Sequence, residues 1–191
     1  KDSANVADLV AQGKCHYYDM PGLRLRDLRR LLLFRRRLKK QLHSCRVRIR
    51  NNLVAQYFPE LDRFWNNAAA ENLAIVRWFL DPGSIRQLSC EQFIAKVTTH
   101  NGGLRQQRRL HHIWEAAGQS IGCRPGPAMA LEAELVVEML QSVQAQLSRV
   151  EHAIQEIADG FEEYDYLKSI PGFGPYVSAA ALAAIGNPHR F

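Results

Sequence analysis

The sequence predicts an all-α fold: a long antiparallel helical coiled coil, a tip of short helices, and a terminal segment of helix-hairpin-helix type. Three observations carry this. Leu31, Arg35, Leu38, Leu42, Cys45, Ile49, Asn52 and Gln56 recur alternately four and three apart. Val136, Leu140, Val143, Leu147, Val150, Ile154, Ile157 and Phe161 do the same. Such a heptad seam belongs to a helix packed lengthwise against another. The third observation is charge. From 24 to 50 there are twelve Lys or Arg and one acid, Asp27, whereas 127 to 160 holds six acids (Glu132, Glu134, Glu138, Glu151, Glu156, Asp159) against Arg149. Opposite sign makes antiparallel pairing the natural packing, with the intervening helices forming the tip where the chain turns back.

In chain order, 2 to 12 reads as a short helix whose Val6, Leu9 and Val10 share a face, with Gly13 as its C-cap. A linker follows, in which Cys15, Tyr17, Tyr18 and Met20 precede the Pro21-Gly22 turn. The basic helix runs from 22 to 58 and stops at Phe58-Pro59. In the tip, 72 to 80 offers Leu73, Val76, Phe79 and Leu80, and a turn at 81 to 84 follows with Ser84 or Ser89 as N-cap. Phe93, Ile94 and Val97 form the next stripe, ending at Asn101-Gly102-Gly103, and then Leu110, Ile113 and Trp114 the one after it. His111 and His112 are adjacent, so on a helix they point about 100° apart and are not expected to chelate one metal together. The acidic helix runs from 127 to 160.

A chain of 191 residues can bury a sizeable core. The net charge of +6 favours polyanionic partners. Cys15, Cys45, Cys90 and Cys123 are widely spaced with no CxxC, so neither a zinc knuckle nor a disulfide framework is indicated, and a reducing cytoplasm is the expectation. No run reaches the roughly 18 apolar residues of a membrane span. The opening KDSANVADLVAQGK and the closing NPHRF suggest a piece of a longer protein.

Twelve like charges with one counter-charge repel each other unless a polyanion or an acidic helix lies beside them. The candidates for phosphate contact are Arg29, Arg30, Arg35, Arg36, Arg37, Lys39 and Lys40, followed by Arg46, Arg48 and Arg50. The acidic helix of the same chain is the competing partner, and the two readings are compatible. Near the end, 166 to 185 reads YLKSIPGFGPYVSAAALAAI. Gly172 and Gly174 permit a tight turn and let backbone N–H groups approach a phosphate, which is the helix-hairpin-helix device. An αα corner with no ligand is the alternative.

Together these pieces resemble the DEDD transposases of bacterial insertion sequences, the bridge-RNA-guided recombinases related to the pilin-gene invertase. Asp2-Ser3-Ala4-Asn5-Val6-Ala7 looks like that family's D-[AS]-x-x-[IV]-A, at the end of the RuvC-like domain. Leu23-Arg24 through Asn52-Leu53, then Phe58-Pro59-Glu60, is similar to the start of its basic coiled coil. Leu167 through Gly174 (LKSIPGFG), with Ala180, Ile185-Gly186 and Arg190-Phe191, is similar to its L.SIPGiG…AA.LLAEIGD..RF. Asn187 stands where the family usually has Asp.

The resemblance implies three segments: 1–20 as the end of the RuvC-like domain, 21–162 as a coiled-coil insertion, and 163–191 as the start of the serine-bearing transposase domain. It implies a parent enzyme that excises and inserts an insertion sequence by DNA cleavage and strand transfer, guided by a structured RNA. Asp2 would be the last of four carboxylates binding Mg²⁺ in the full-length protein; the other three and the nucleophilic Ser would lie outside this chain. The segment by itself is then expected to be inactive and to bind no metal. Its implied partners are DNA, guide RNA and a second copy through the coiled coil, in the bacterial cytoplasm; a tetramer stays open. The rival readings are a non-catalytic coiled-coil scaffold and a helix-hairpin-helix DNA-binding protein.

Overall fold

The computed structural model of the chain describes residues 2–14, 21–66, 70–98 and 103–186. Among these, every regular element is helical, as the all-α reading requires. The order is α1 (Asp2–Ala11), α2 (Leu23–Val47), a π-helical segment (Arg48–Val54), the single turn α3 (Ala55–Tyr57) and a 3-10 turn (Pro59–Phe64). Then come α4 (Ala70–Trp78), α5 (Pro82–Arg86), α6 (Cys90–Val97), α7 (Leu104–Ala117), α8 (Pro127–Ala158), α9 (Glu162–Lys168) and α10 (Pro175–Ile185). The readings at Cys15, Tyr17, Tyr18, Met20, Asn101-Gly102, Asn187 and Arg190-Phe191 lie outside the described residues.

The chain forms two compact units, Lys1–Leu33 with His152–Phe191, and Phe34–Glu151. The boundaries of the two units fall inside α2 and α8. In the first unit the opening turns of α2 bury Leu25 and Leu28, and Arg29 Nε donates to the Ala183 carbonyl of α10. α9 packs on α10 across the turn in which Gly172 takes φ +88°, a conformation that suits glycine. Buried Tyr164 donates its hydroxyl proton to the Pro175 carbonyl, and buried Ser178 donates to that of Phe173. Ala179, Leu182 and Ala183 complete the packed face of α10. Val6, Leu9 and Val10 of α1 share the expected face, yet all three are exposed.

In the second unit Arg35 reaches Glu151 and Arg48 reaches Glu132, each at 2.7 Å. Residue number rises along one rod as it falls along the other, so the two rods are antiparallel here. Leu38, Leu42, Cys45 and Ile49 of the first seam are buried, as are Val136, Leu140, Val143, Leu147 and Val150 of the second. The expected seam fails beyond Ile49. Asn52 and Gln56 are exposed, while Leu53, Val54, Tyr57 and Phe58 are buried. The cause is the π-helical segment, whose wider turns hold an extra residue and rotate everything after them. Keeping a regular helix would bury two carboxamides without partners, at about 1–3 kcal/mol each. The wide turn instead buries apolar side chains worth roughly 1.5–3 kcal/mol each.

The short helices differ from expectation in detail. α4 buries Ile75 and Val76, with Leu73 only half-buried, and Phe79 and Leu80 are buried just past its end. Asp81 caps α5 by accepting from the Gly83 amide at 2.9 Å, a role the sequence left to Ser84. Ser89 caps α6 reciprocally with Gln92. The rings of Phe79 and Phe93 meet edge to face at 5.6 Å, and α7 buries Leu110, Ile113 and Ala117.

The strand of chain leading to α8 is stitched to the end of the basic rod. The Cys123 amide donates to the Gln56 carbonyl at 3.0 Å, and a Cβ on Gly122 would fall 2.0 Å from the Tyr57 carbonyl oxygen. Glu60 accepts from the Ser120 hydroxyl and from the Ile121 amide. Partial burial pushes its carboxyl up, but those two donors and nearby Arg63 together hold it below the ordinary carboxylate value. A folded-state pKa below the unfolded one stabilises the fold above the unfolded pKa, and that contribution is lost as pH falls through the folded one. Glu60→Gln should therefore melt below the wild type by a constant margin well above the unfolded glutamate pKa of about 4.3, and the margin should shrink as pH falls below it. Thermal melts followed by circular dichroism read this directly; a margin that stays flat down to pH 3 would refute the assignment.

Candidate nucleic-acid interface

The basic residues of the first rod fall into two classes. Some are engaged: Arg29 with the Ala183 carbonyl, Arg35 with Glu151, Arg48 with Glu132, and Arg50 with both oxygens of Asp62. The hydrogen bond from Arg50 holds the Asp62 carboxyl below its usual value. Arg35 and Glu151 are the most enclosed of these ion pairs, their side chains only 16% and 24% exposed. Arg35 thus occupies its seam position as a structural clamp.

The others are exposed and pair with no carboxylate among the described residues. In the second unit these are Arg36, Arg37, Lys39, Lys40 and Arg46. Arg36 and Lys40 are one helical turn apart on the side opposite Leu38, Leu42 and Cys45, with Arg37 on one flank and Lys39 and Arg46 on the other, so this row is a band over the outward half of α2. In the first unit Arg30 is likewise exposed and without an ion pair among the described residues.

The acids that might neutralise this row are committed elsewhere. Glu134 and Glu138 of α8 share Arg77 of α4, at 2.8 and 2.7 Å. Sequence reading missed Arg77, which carries no seam or motif signal. With Glu132 on Arg48 and Glu151 on Arg35, each acid of α8 within the second unit has a partner outside the row. Positive potential therefore remains on the outward side of α2.

Gly172 and Gly174 lie at an exposed turn, and their amides meet no acceptor among the described residues. Pro175 takes the first position of α10 and removes one donor there. Two backbone donors are thus presented at the start of α10.

Asp2 lies exposed in the first turn of α1. The nearest acid on that helix, Asp8, is six residues on and on another side. A hard divalent ion takes several oxygen ligands, so the described residues around Asp2 do not form a Mg²⁺ site. In α7, by contrast, Glu115 lies 3.6 Å from Nδ1 of His111 and 3.1 Å from Nδ1 of His112. Ligand atoms of the three lie within 4.8 Å of one another, a convergence that the angle between adjacent histidines does not anticipate. Arg109 is half-buried against Glu71 and Asn72, at 3.1 Å from each.

Fold and surface define an all-α protein with a basic row on one long helix that no carboxylate among the described residues neutralises. Among the described residues no helix is long and apolar enough to cross a membrane. No protein-family model matches the chain, and no curated protein matches it.

The two classes of arginine separate in stability. Arg35→Ala should lower stability by about 1–2 kcal/mol, between an exposed and a buried ion pair. Arg37→Ala should change it by less than about 0.5 kcal/mol. Urea unfolding of the two variants checks this, and equal losses would remove the distinction.

Proposed function

We propose that this chain is part of a DEDD transposase of the RNA-guided kind, and that its own share is to grip nucleic-acid backbone and to join two copies. The observation that carries the reading is the exposed row Arg36, Arg37, Lys39, Lys40 and Arg46, left without carboxylate partners among the described residues while the acids of α8 in the second unit go to Arg35, Arg48 and Arg77. Such a row suits a phosphodiester chain, whose charges repeat along its length and whose counter-ions are released on contact. The exposed turn at Gly172 and Gly174 supports a second backbone contact in the first unit. The ordered likeness of the motifs at both ends of the chain supplies the family. On this reading the parent cuts and rejoins DNA at the ends of a mobile element, with RNA as guide, and Asp2 joins carboxylates from elsewhere in the parent.

Charge reversal tests the grip. Arg36→Glu, Arg37→Glu and Lys40→Glu together should weaken binding to a structured RNA or duplex DNA by about 100-fold or more at 0.1 M salt. The slope of log affinity against log salt should flatten by about three counter-ions. Fluorescence anisotropy across a salt series reads both, and unchanged affinity would favour the scaffold alternative.

For the second copy, the support is an apolar stripe on α8. Leu131, Leu135 and Met139 recur every four residues and are more than half exposed, at 57%, 52% and 55%. Leu135→Glu with Met139→Glu should shift the sedimentation profile from dimer to monomer while leaving the helical spectrum intact. A dimer that survives both changes would move the contact elsewhere.

A further inference from the structure

We infer that the π-helical segment builds a pocket for one unpaired nucleobase, with adenine the best match, beside the basic row. This rests on the backbone-binding reading above and adds a base to it. Asn51, Asn52 and Gln56 edge an open depression of about 480 Å³, completed across α8 by Met129 and Glu132. That volume lies within the range of small-molecule sites, roughly 300–1,000 Å³. All three carboxamides are exposed, and none has a hydrogen-bond partner among the described residues. In a regular helix Asn52 and Gln56 would face the seam; the wide turn is what brings them to the depression. π-helical turns are rare and recur at functional sites.

The chemistry selects the occupant. A carboxamide offers one donor and one acceptor in a plane, the complement of the N7 acceptor and N6 amino group of adenine. Within a duplex the base would be stacked and out of reach of a depression on a helix side, so the fitting form is a base splayed from a single strand. The Met129 thioether supplies a soft, polarisable surface for an aromatic ring. Glu132 is held by Arg48 at 2.7 Å, so its charge at the rim is compensated. Arg37, eleven residues and three turns before Arg48, lies on the same side of the rod about 16 Å away. A strand whose phosphates meet Arg37 and Lys40 thus passes the rim of the depression.

The test uses the full chain and labelled twelve-nucleotide pyrimidine strands carrying one central adenine or one central abasic site, each as RNA and as DNA. The adenine strand should bind about ten-fold more tightly than the abasic one. Asn51→Ala, Asn52→Ala and Gln56→Ala together should erase that difference while leaving affinity for the abasic strand, and its salt slope, unchanged. If the triple variant loses its helical spectrum, Asn52→Asp and Met129→Ala singly should each reduce the preference by several-fold. A preference confined to the RNA strand identifies a guide as the source, and one confined to DNA identifies the element. Equal affinity for adenine and abasic strands overturns the base pocket and leaves the backbone grip standing. Failure to bind any strand overturns both.

Discussion

Carboxylates are the scarce partner in the second unit, and their allocation constrains the rest. Arg35 and Arg48 each take one acid of α8, and Arg77 takes two. The pairs on Arg35 and Arg48 fix the opposed direction of the rods, and that on Arg77 ties α4 to α8. An acid with its oxygens on one guanidinium has little left for a second cation several turns away. The exposed row on α2 is therefore the remainder of this matching, and remaining positive charge on a rigid helix is what a polyanion recognises. Packing engages part of this set of side chains, and the side of the helix that each one leaves decides whether it is clamped or exposed.

The π-helical segment is the other place where one physical choice has two results. The heptad would have put Asn52 and Gln56 into an apolar interface, where unpartnered carboxamides are costly. An extra residue in the turn exchanges them for Leu53, Val54 and Tyr57. The same rotation carries Asn52 and Gln56 outward, where their carboxamides have no hydrogen-bond partner among the described residues. Beyond it the rod ends at Phe58-Pro59-Glu60, and Glu60 gathers the Ser120 hydroxyl and the Ile121 amide. The glutamate of that tripeptide, which the sequence offers only as part of a motif, anchors the chain on its way into α8.

In the first unit the small residues of α10 have a specific use. Ala179 and Ala183 are buried, and the Ala183 carbonyl lies open enough for Arg29 to donate to it. A basic residue chosen from the sequence for phosphate contact thus serves to hold α10. Gly172 keeps the turn tight through its positive φ, and Gly172 and Gly174 both stay exposed.

What the sequence determined by itself was the class of the fold, most of the seams and the sign of each rod. Periodicity and charge are local properties, readable wherever one side of a helix must be apolar. The π-helical turn was not legible, because a break in the heptad at Asn52 looks the same whether the carboxamides are buried or the helix widens. Nor was the division of arginines into clamps and free cations. Arg35 and Arg36 are neighbours with identical chemistry, and only the position of Glu151 across the rod assigns the first to structure and leaves the second exposed. Tertiary structure decided those points because each depends on a distance between residues far apart in the chain, which no spacing along one helix contains.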